Sequence, residues 1–189
     1  MNYGIYKNIR GAAWQCLIDC NIVSLPVSVG QIMQHYGIEM IYNSDTGILR
    51  PNESGRIIIS DVPCVVIRDE HSPQRQRFTA IHELGHYLLG HLGARGELSR
   101  SDVKEPQETE ADMFAARVLM PVCVLWGIGV ESTEDIAKIC NVSLTAADIR
   151  SRRLELLRSR GKFLSSQLER RVYDNFSEFI QNYNNRKGE

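Results

Sequence analysis

A chain of 189 residues with 22 Lys+Arg against 23 Asp+Glu and a net charge of -1 is one domain, or one domain with an appendage, long enough to bury a core without staples. Its 43% hydrophobic and 24% charged residues exclude a disordered chain, and the near-neutral balance excludes a wholesale polyanion binder while leaving a local basic patch open. No stretch approaches the ~18–20 uninterrupted apolar residues of a membrane span.

The first twenty residues lack the apolar run and cleavage site of a signal peptide. The five cysteines (Cys16, Cys20, Cys64, Cys123, Cys140) sit mostly in apolar segments and read as reduced core thiols. Cys16 and Cys20 would make half a metal site, but no second pair completes one. A cytoplasmic, soluble protein is predicted.

In chain order, a helix over 11–20 precedes a second over 28–36, with Ser28 to cap it and Gly37 to end it. Three short β-rich runs follow, Ile38–Tyr42, Arg56–Ser60 and Cys64–Arg68, separated by Asn, Asp, Gly and Pro; they predict a small twisted sheet. A helix then starts near Pro73–Gln76 and carries the stripe Phe78, Ile81, Leu84, Leu88 and Leu92. Residues 93–107 read as a loop, 107–120 as a helix stopped by Pro121, and 127–129 as a glycine turn. Two shorter helices are expected over 133–140 and 144–157, and the polar tail from Gly161 ends in an amphipathic helix.

The chemistry is concentrated in His82-Glu83-Leu84-Gly85-His86. Residues four apart share a helix face, so two imidazoles reach one ion, and imidazole nitrogens at ~2.0–2.1 Å are ordinary zinc ligands. Glu83 lies beside that face, placed to take a proton from water on the metal, whose pKa drops towards ~7. With this composition the string is expected by chance only about 0.01 times. The metzincin continuation fails, because Leu89 and Leu92 stand where Gly and His are required. His91, five residues beyond His86, is rotated away from it on a continuous helix and reads as structural or supporting.

A third ligand must come from the acids of Gln107-Glu108-Thr109-Glu110-Ala111-Asp112. Glu108 and Asp112 share a face and Glu110 points roughly 200° away. A carboxylate ligand plus a second carboxylate that orients a ligand histidine selects Glu108 as ligand and Asp112 as its support. Glu110, the alternative ligand, is then left near solvent beside Arg117. The small residues Ala111, Ala115 and Ala116 let this helix approach the first closely. The plain alternative is a solvated acidic helix start favoured by the helix dipole.

The runs RQRFTAIHELGHYLLGH (75–91) and ETEADMFAARVLMP (108–121) resemble the two central blocks of the ImmA/IrrE family of zinc metallopeptidases. Softer likeness extends over 25–42 and 141–157, while the first 24 residues and the tail after about 160 have none. Ile81 and Val118 depart mildly from the family pattern, away from the chemistry. The resemblance implies Zn2+ held by His82, His86 and Glu108, with Glu83 as catalytic base, and supports Glu108 independently. The expected fold is α+β: a minimal zincin-like domain with a small sheet packed on the HExxH helix, plus a helical C-terminal region. The domain boundaries drawn are 1–130 (zincin-like), 131–160 (helix-turn-helix-like) and 161–189 (helical tail).

The resemblance also implies a zinc-dependent endopeptidase whose protein substrate is a helix-turn-helix repressor of a mobile element or stress response. His71, Arg75, Arg77, Tyr87 and His91 are unranked candidates to help hold the oxyanion, and Cys64–Arg68 is the expected sheet edge for strand addition by a peptide. Two alternatives stay open. The protein is a non-cleaving anti-repressor that grips its partner, or a DNA-binding regulator using Arg150, Arg152, Arg153 and Arg158 of the second helix of a 134–157 helix pair. Residues 150–171 hold eight basic against two acidic residues, the basis of the DNA reading.

Overall fold

The structure, a computed structural model, describes residues 3–92 and 105–187. The chain divides into two compact units, one made of Met1–Ala12 with Val29–Ala115 and the other of Ala13–Ser28 with Ala116–Glu189. Among the described residues no helix is long and apolar enough to cross a membrane.

Helix α1 runs over Tyr3–Asp19, eight residues earlier than its hydrophobic pattern suggests. Of residues 3–10 only Ile9 is buried, so the first two turns carry no stripe to read. Helix α2 (Val29–His35) buries Val29, Ile32 and Met33, and Gly37, in the left-handed region at φ 64°, ends it.

Strand β1 (Glu39–Tyr42), the single helical turn α3 (Asn43–Thr46), and strands β2 (Gly55–Ile58) and β3 (Cys64–Ile67) follow. The sheet order is β1-β3-β2, with β1 parallel and β2 antiparallel to β3. The segment expected to be the open edge is therefore the central strand: Cys64–Ile67 is paired on both sides, and the edges are β1 and β2. Its unbroken apolar run, with Val65, Val66 and Ile67 all buried, is what a strand covered on both faces requires.

Helix α4 (Pro73–Leu88) packs across β2 and β3. Ser72 caps it, its hydroxyl accepting from Arg75 N at 3.4 Å, and Pro73 occupies the first turn, where a missing N–H costs nothing. Ala80, Ile81 and Leu84 are fully buried. The apolar stripe promised helix to Leu92, but α4 stops at Leu88. Gly90, at φ 73°, turns the chain back, and His91 N donates to His86 O at 2.9 Å.

Helix α5 (Glu105–Leu119) starts two residues before expectation, with Pro106 in its first turn. Of the loop expected over 93–107, residues 93–104 lie outside the described residues and the rest is α5. Close packing of α5 on α4 turns on Gly85: a Cβ there would stand 3.0 Å from Phe114 Cδ1 and 3.4 Å from Ala111.

In the other unit, α6 (Val122–Gly127) occupies what reads as the approach to a turn. Val122, Cys123, Val124 and Leu125 are all buried, so the helix has no polar side and hence no rhythm. Helices α7 (Thr133–Cys140) and α8 (Leu144–Ser159) form the expected pair, with Asn141 at φ 51° in the turn. Two of the four arginines read as phosphate contacts are tied to backbone. Arg150, 8% exposed, donates from Nε to Met120 O at 2.6 Å, and Arg158 Nη2 to Val130 O at 2.6 Å. Arg152 pairs with Asp148 at 2.8 Å. The outer face of α8 exposes Leu144 and Ile149. The tail forms two helices, α9 (Gln167–Asn175) and α10 (Ser177–Lys187); Val172, Ile180 and Phe176, which joins the two, are buried.

Candidate metal centre

Three donor side chains converge between α4 and α5. His82 Nε2 and His86 Nε2 lie 3.0 Å apart, Glu108 Oε2 lies 3.3 Å from His82 Nε2, and Glu108 Oε1 lies 3.6 Å from His86 Nε2. Ligands held tetrahedrally at bond lengths of ~2.0–2.1 Å are about 3.3–3.4 Å from one another. The three separations bracket that value, so two imidazoles and a carboxylate fit a single borderline cation. Among the described residues these three form the one group able to hold a metal in common.

The acid helix sorts its carboxylates as its period requires, with one departure. Asp112, one turn beyond Glu108, places Oδ1 2.8 Å from His82 Nδ1, on the side of the ring away from Nε2. Glu110 is not in solvent, as its helical angle suggested. Its side chain is 17% exposed and Oε2 lies 3.2 Å from His91 Nε2, while His91 Nδ1 lies 3.0 Å from His86 Nδ1. The rotation argument for His91 fails because the helix does not continue to it. The return at Gly90 folds the imidazole back against His86. Gly90, four residues beyond the second histidine, was the signal available.

Charge follows the same arrangement. Burial disfavours the cationic form of His82, but its hydrogen bonds to Asp112 and Glu108 and the nearby Glu83 carboxylate outweigh it and raise its pKa to about 9. Burial, reinforced by the facing His82, pushes His86 down to about 4. Two imidazoles facing several carboxylates form a donor set that selects a cation.

Glu83 is 8% exposed and its Oε2 accepts from Ile57 N at 3.1 Å. Arg68 N bonds Ser54 O, so along the antiparallel pair Ile57 N–H faces away from β3, and the edge of β2 holds the carboxylate. This anchor was not visible in the sequence, because it depends on which strand is the edge. Gly55 lets β2 approach α4: a Cβ there would collide with the Thr79 side chain.

A cleft of ≈ 300 Å³ opens over these groups, lined among others by Ser54, Gly55, Arg56, Arg75, Phe78 and Glu83. Of the five donors considered for an oxyanion, Arg75 alone lines it; its Nη2 bonds Ser54 Oγ at 2.9 Å. His91 is committed to His86 and Glu110, and His71, Arg77 and Tyr87 stand elsewhere.

No curated protein gives a match to the chain. The family model described as the IrrE N-terminal-like domain, a peptidase family, matches residues 33–152. That span exceeds half of the chain and contains His82, Glu83, His86, Glu108 and Asp112, so its function is of metallopeptidase type. The chain belongs to the ImmA/IrrE family, as an IrrE N-terminal-like domain.

Proposed function

We propose that the chain is a zinc-dependent endopeptidase in which His82, His86 and Glu108 hold the ion, Asp112 orients His82, and Glu83 is the catalytic base. The observation that carries this reading is the meeting of three donors at 3.0, 3.3 and 3.6 Å beside a buried carboxylate. A bound ion would supply a Lewis acid able to polarise a peptide carbonyl and to make water acidic near neutral pH. Glu83 takes the proton of the attacking water and delivers it to the leaving amine. Its hydrogen bond from Ile57 N fixes one carboxylate oxygen, leaving the other to do the transfer. Arg75 stands at the rim as a cation able to meet charge on the substrate.

An extended peptide reaches this chemistry by adding to β2, the edge strand that lines the cleft, through the outward-facing backbone groups of Gly55 and the Ile57 carbonyl, the Ile57 N–H being held by Glu83. The substrate is a protein, and the family supports a helix-turn-helix repressor as its class. Such a substrate puts the enzyme in the cytoplasm, where the five free cysteines stay reduced.

Incubating the zinc-loaded protein with purified helix-turn-helix repressors and looking for fragments by mass spectrometry tests the reading. Cleavage by the wild type, lost in Glu83→Gln with zinc content unchanged, is expected. Fragments that persist in Glu83→Gln would contradict the assigned base, and repressor binding without fragments would favour a non-cleaving partner.

A further inference from the structure

The two histidines of the HExxH helix are supported differently. His82 has a single carboxylate, Asp112, at its Nδ1; that carboxylate is 60% exposed. Behind His86 stands a longer chain of groups, His91 and then Glu110, whose side chains are 5% and 17% exposed. From the sequence His91 has only an unspecified structural or supporting part, and Glu110 is the alternative ligand or a solvent-facing acid.

The direction of the hydrogen bonds in that chain follows from the group at its end. An ionised carboxylate only accepts, so Glu110 Oε2 takes the proton of His91 Nε2–H across 3.2 Å. A neutral imidazole protonated at Nε2 carries its lone pair on Nδ1, and His91 Nδ1 lies 3.0 Å from His86 Nδ1. With Glu110 ionised and His91 neutral, His86 donates Nδ1–H and keeps its own lone pair on Nε2. That atom faces His82 Nε2 and Glu108. With the opposite tautomer, His86 would present N–H where a metal needs a lone pair.

We propose that His91 and Glu110 are positioning residues that lock His86 in the tautomer whose Nε2 lone pair faces the metal; this rests on the metallopeptidase reading above. Gly90 belongs to the same device. Its left-handed φ of 73° lets His91 N bond His86 O at 2.9 Å, bringing the two rings edge to face with centroids 5.1 Å apart. Removing an outer partner of a metal-ligating histidine weakens metal affinity by about 10–100-fold. His91→Phe, which keeps a ring but has no acceptor, and Glu110→Leu are expected to do so. His91→Asn, whose side-chain oxygen takes the place of Nδ1, restores most of the loss.

The test has two readouts, zinc affinity by competition with a chromophoric chelator and the His86 tautomer from long-range 1H–15N spectra of the metal-free protein near pH 8. The expected results are a wild-type His86 protonated at Nδ1, a shift towards the Nε2–H form in His91→Phe, and a parallel loss and rescue of affinity. A wild-type His86 protonated at Nε2, or a folded His91→Phe that binds zinc as tightly as wild type, overturns the proposal. Should His91→Phe fold poorly, Glu110→Leu and the wild-type spectrum decide. A wild type that takes up no zinc counts against the metallopeptidase reading instead, and the metal-free spectrum still judges the relay.

Discussion

Two helix pairs carry much of the charge in this chain, and they use it in opposite ways. In α4 and α5 the titratable side chains point at one another: His82 and His86 meet Glu108, each imidazole has a further partner behind it, and Glu83 is buried alongside. In α7 and α8 the arginines are dispersed. Arg150 and Arg158 each hold a backbone carbonyl, and Arg152 meets an aspartate one turn away. Both pairs look rich in charge from the sequence. Convergence distinguishes them: like and unlike charges gathered at one point need a cation to stabilise them, whereas arginines satisfied one by one stabilise a fold.

The comparison breaks most readily at Glu83. Glu83→Gln is expected to reduce cleavage by about 10²–10⁴-fold, the contribution of a positioned base, while zinc content stays at wild-type level. A smaller change is expected at Asp112. Asp112→Ala removes the partner of His82 Nδ1 and should weaken zinc affinity by about 10–100-fold, read by chelator competition. The helical pair should respond in stability alone. Arg150→Met leaves Met120 O without its charged donor and is expected to cost about 1–3 kcal/mol in denaturant unfolding, with zinc affinity unchanged. Arg152→Ala, at an exposed i,i+4 pair, should stay within about 0.5 kcal/mol of wild type. If Arg150→Met altered zinc affinity as strongly as Asp112→Ala, the contrast between the pairs would fail.

Much of this was legible without coordinates, for local reasons. The His82/His86 spacing and the Glu108/Asp112 spacing are properties of single helices, and the 3.6-residue period delivers both. The α7–α8 pair was readable from its helical pattern, and in the structure Ser132 and Ser143 cap its helices, each accepting from the N–H three residues on. What was missed depends on chain reversal or on partners remote in sequence. His91 was assigned by continuing a helix that Gly90 ends, and Glu110 was sent to solvent because its partner was unknown. The order of three short strands is not written in their periodicity, so the edge was placed on Cys64–Arg68 when β2 forms it. The anchor of Glu83 on Ile57 N was hidden for the same reason. Helix α6, apolar all round, gave no period to detect.

The claim on which the account turns is that two imidazoles and Glu108 hold one ion. Zinc K-edge absorption of the loaded protein, compared with Glu108→Ala, tests it directly. About one zinc per chain is expected, with an imidazole signature, nitrogen or oxygen neighbours at ~2.0–2.1 Å, and a spectrum altered by the substitution. A sulfur shell at ~2.3 Å, or a spectrum that Glu108→Ala leaves unchanged, would contradict it.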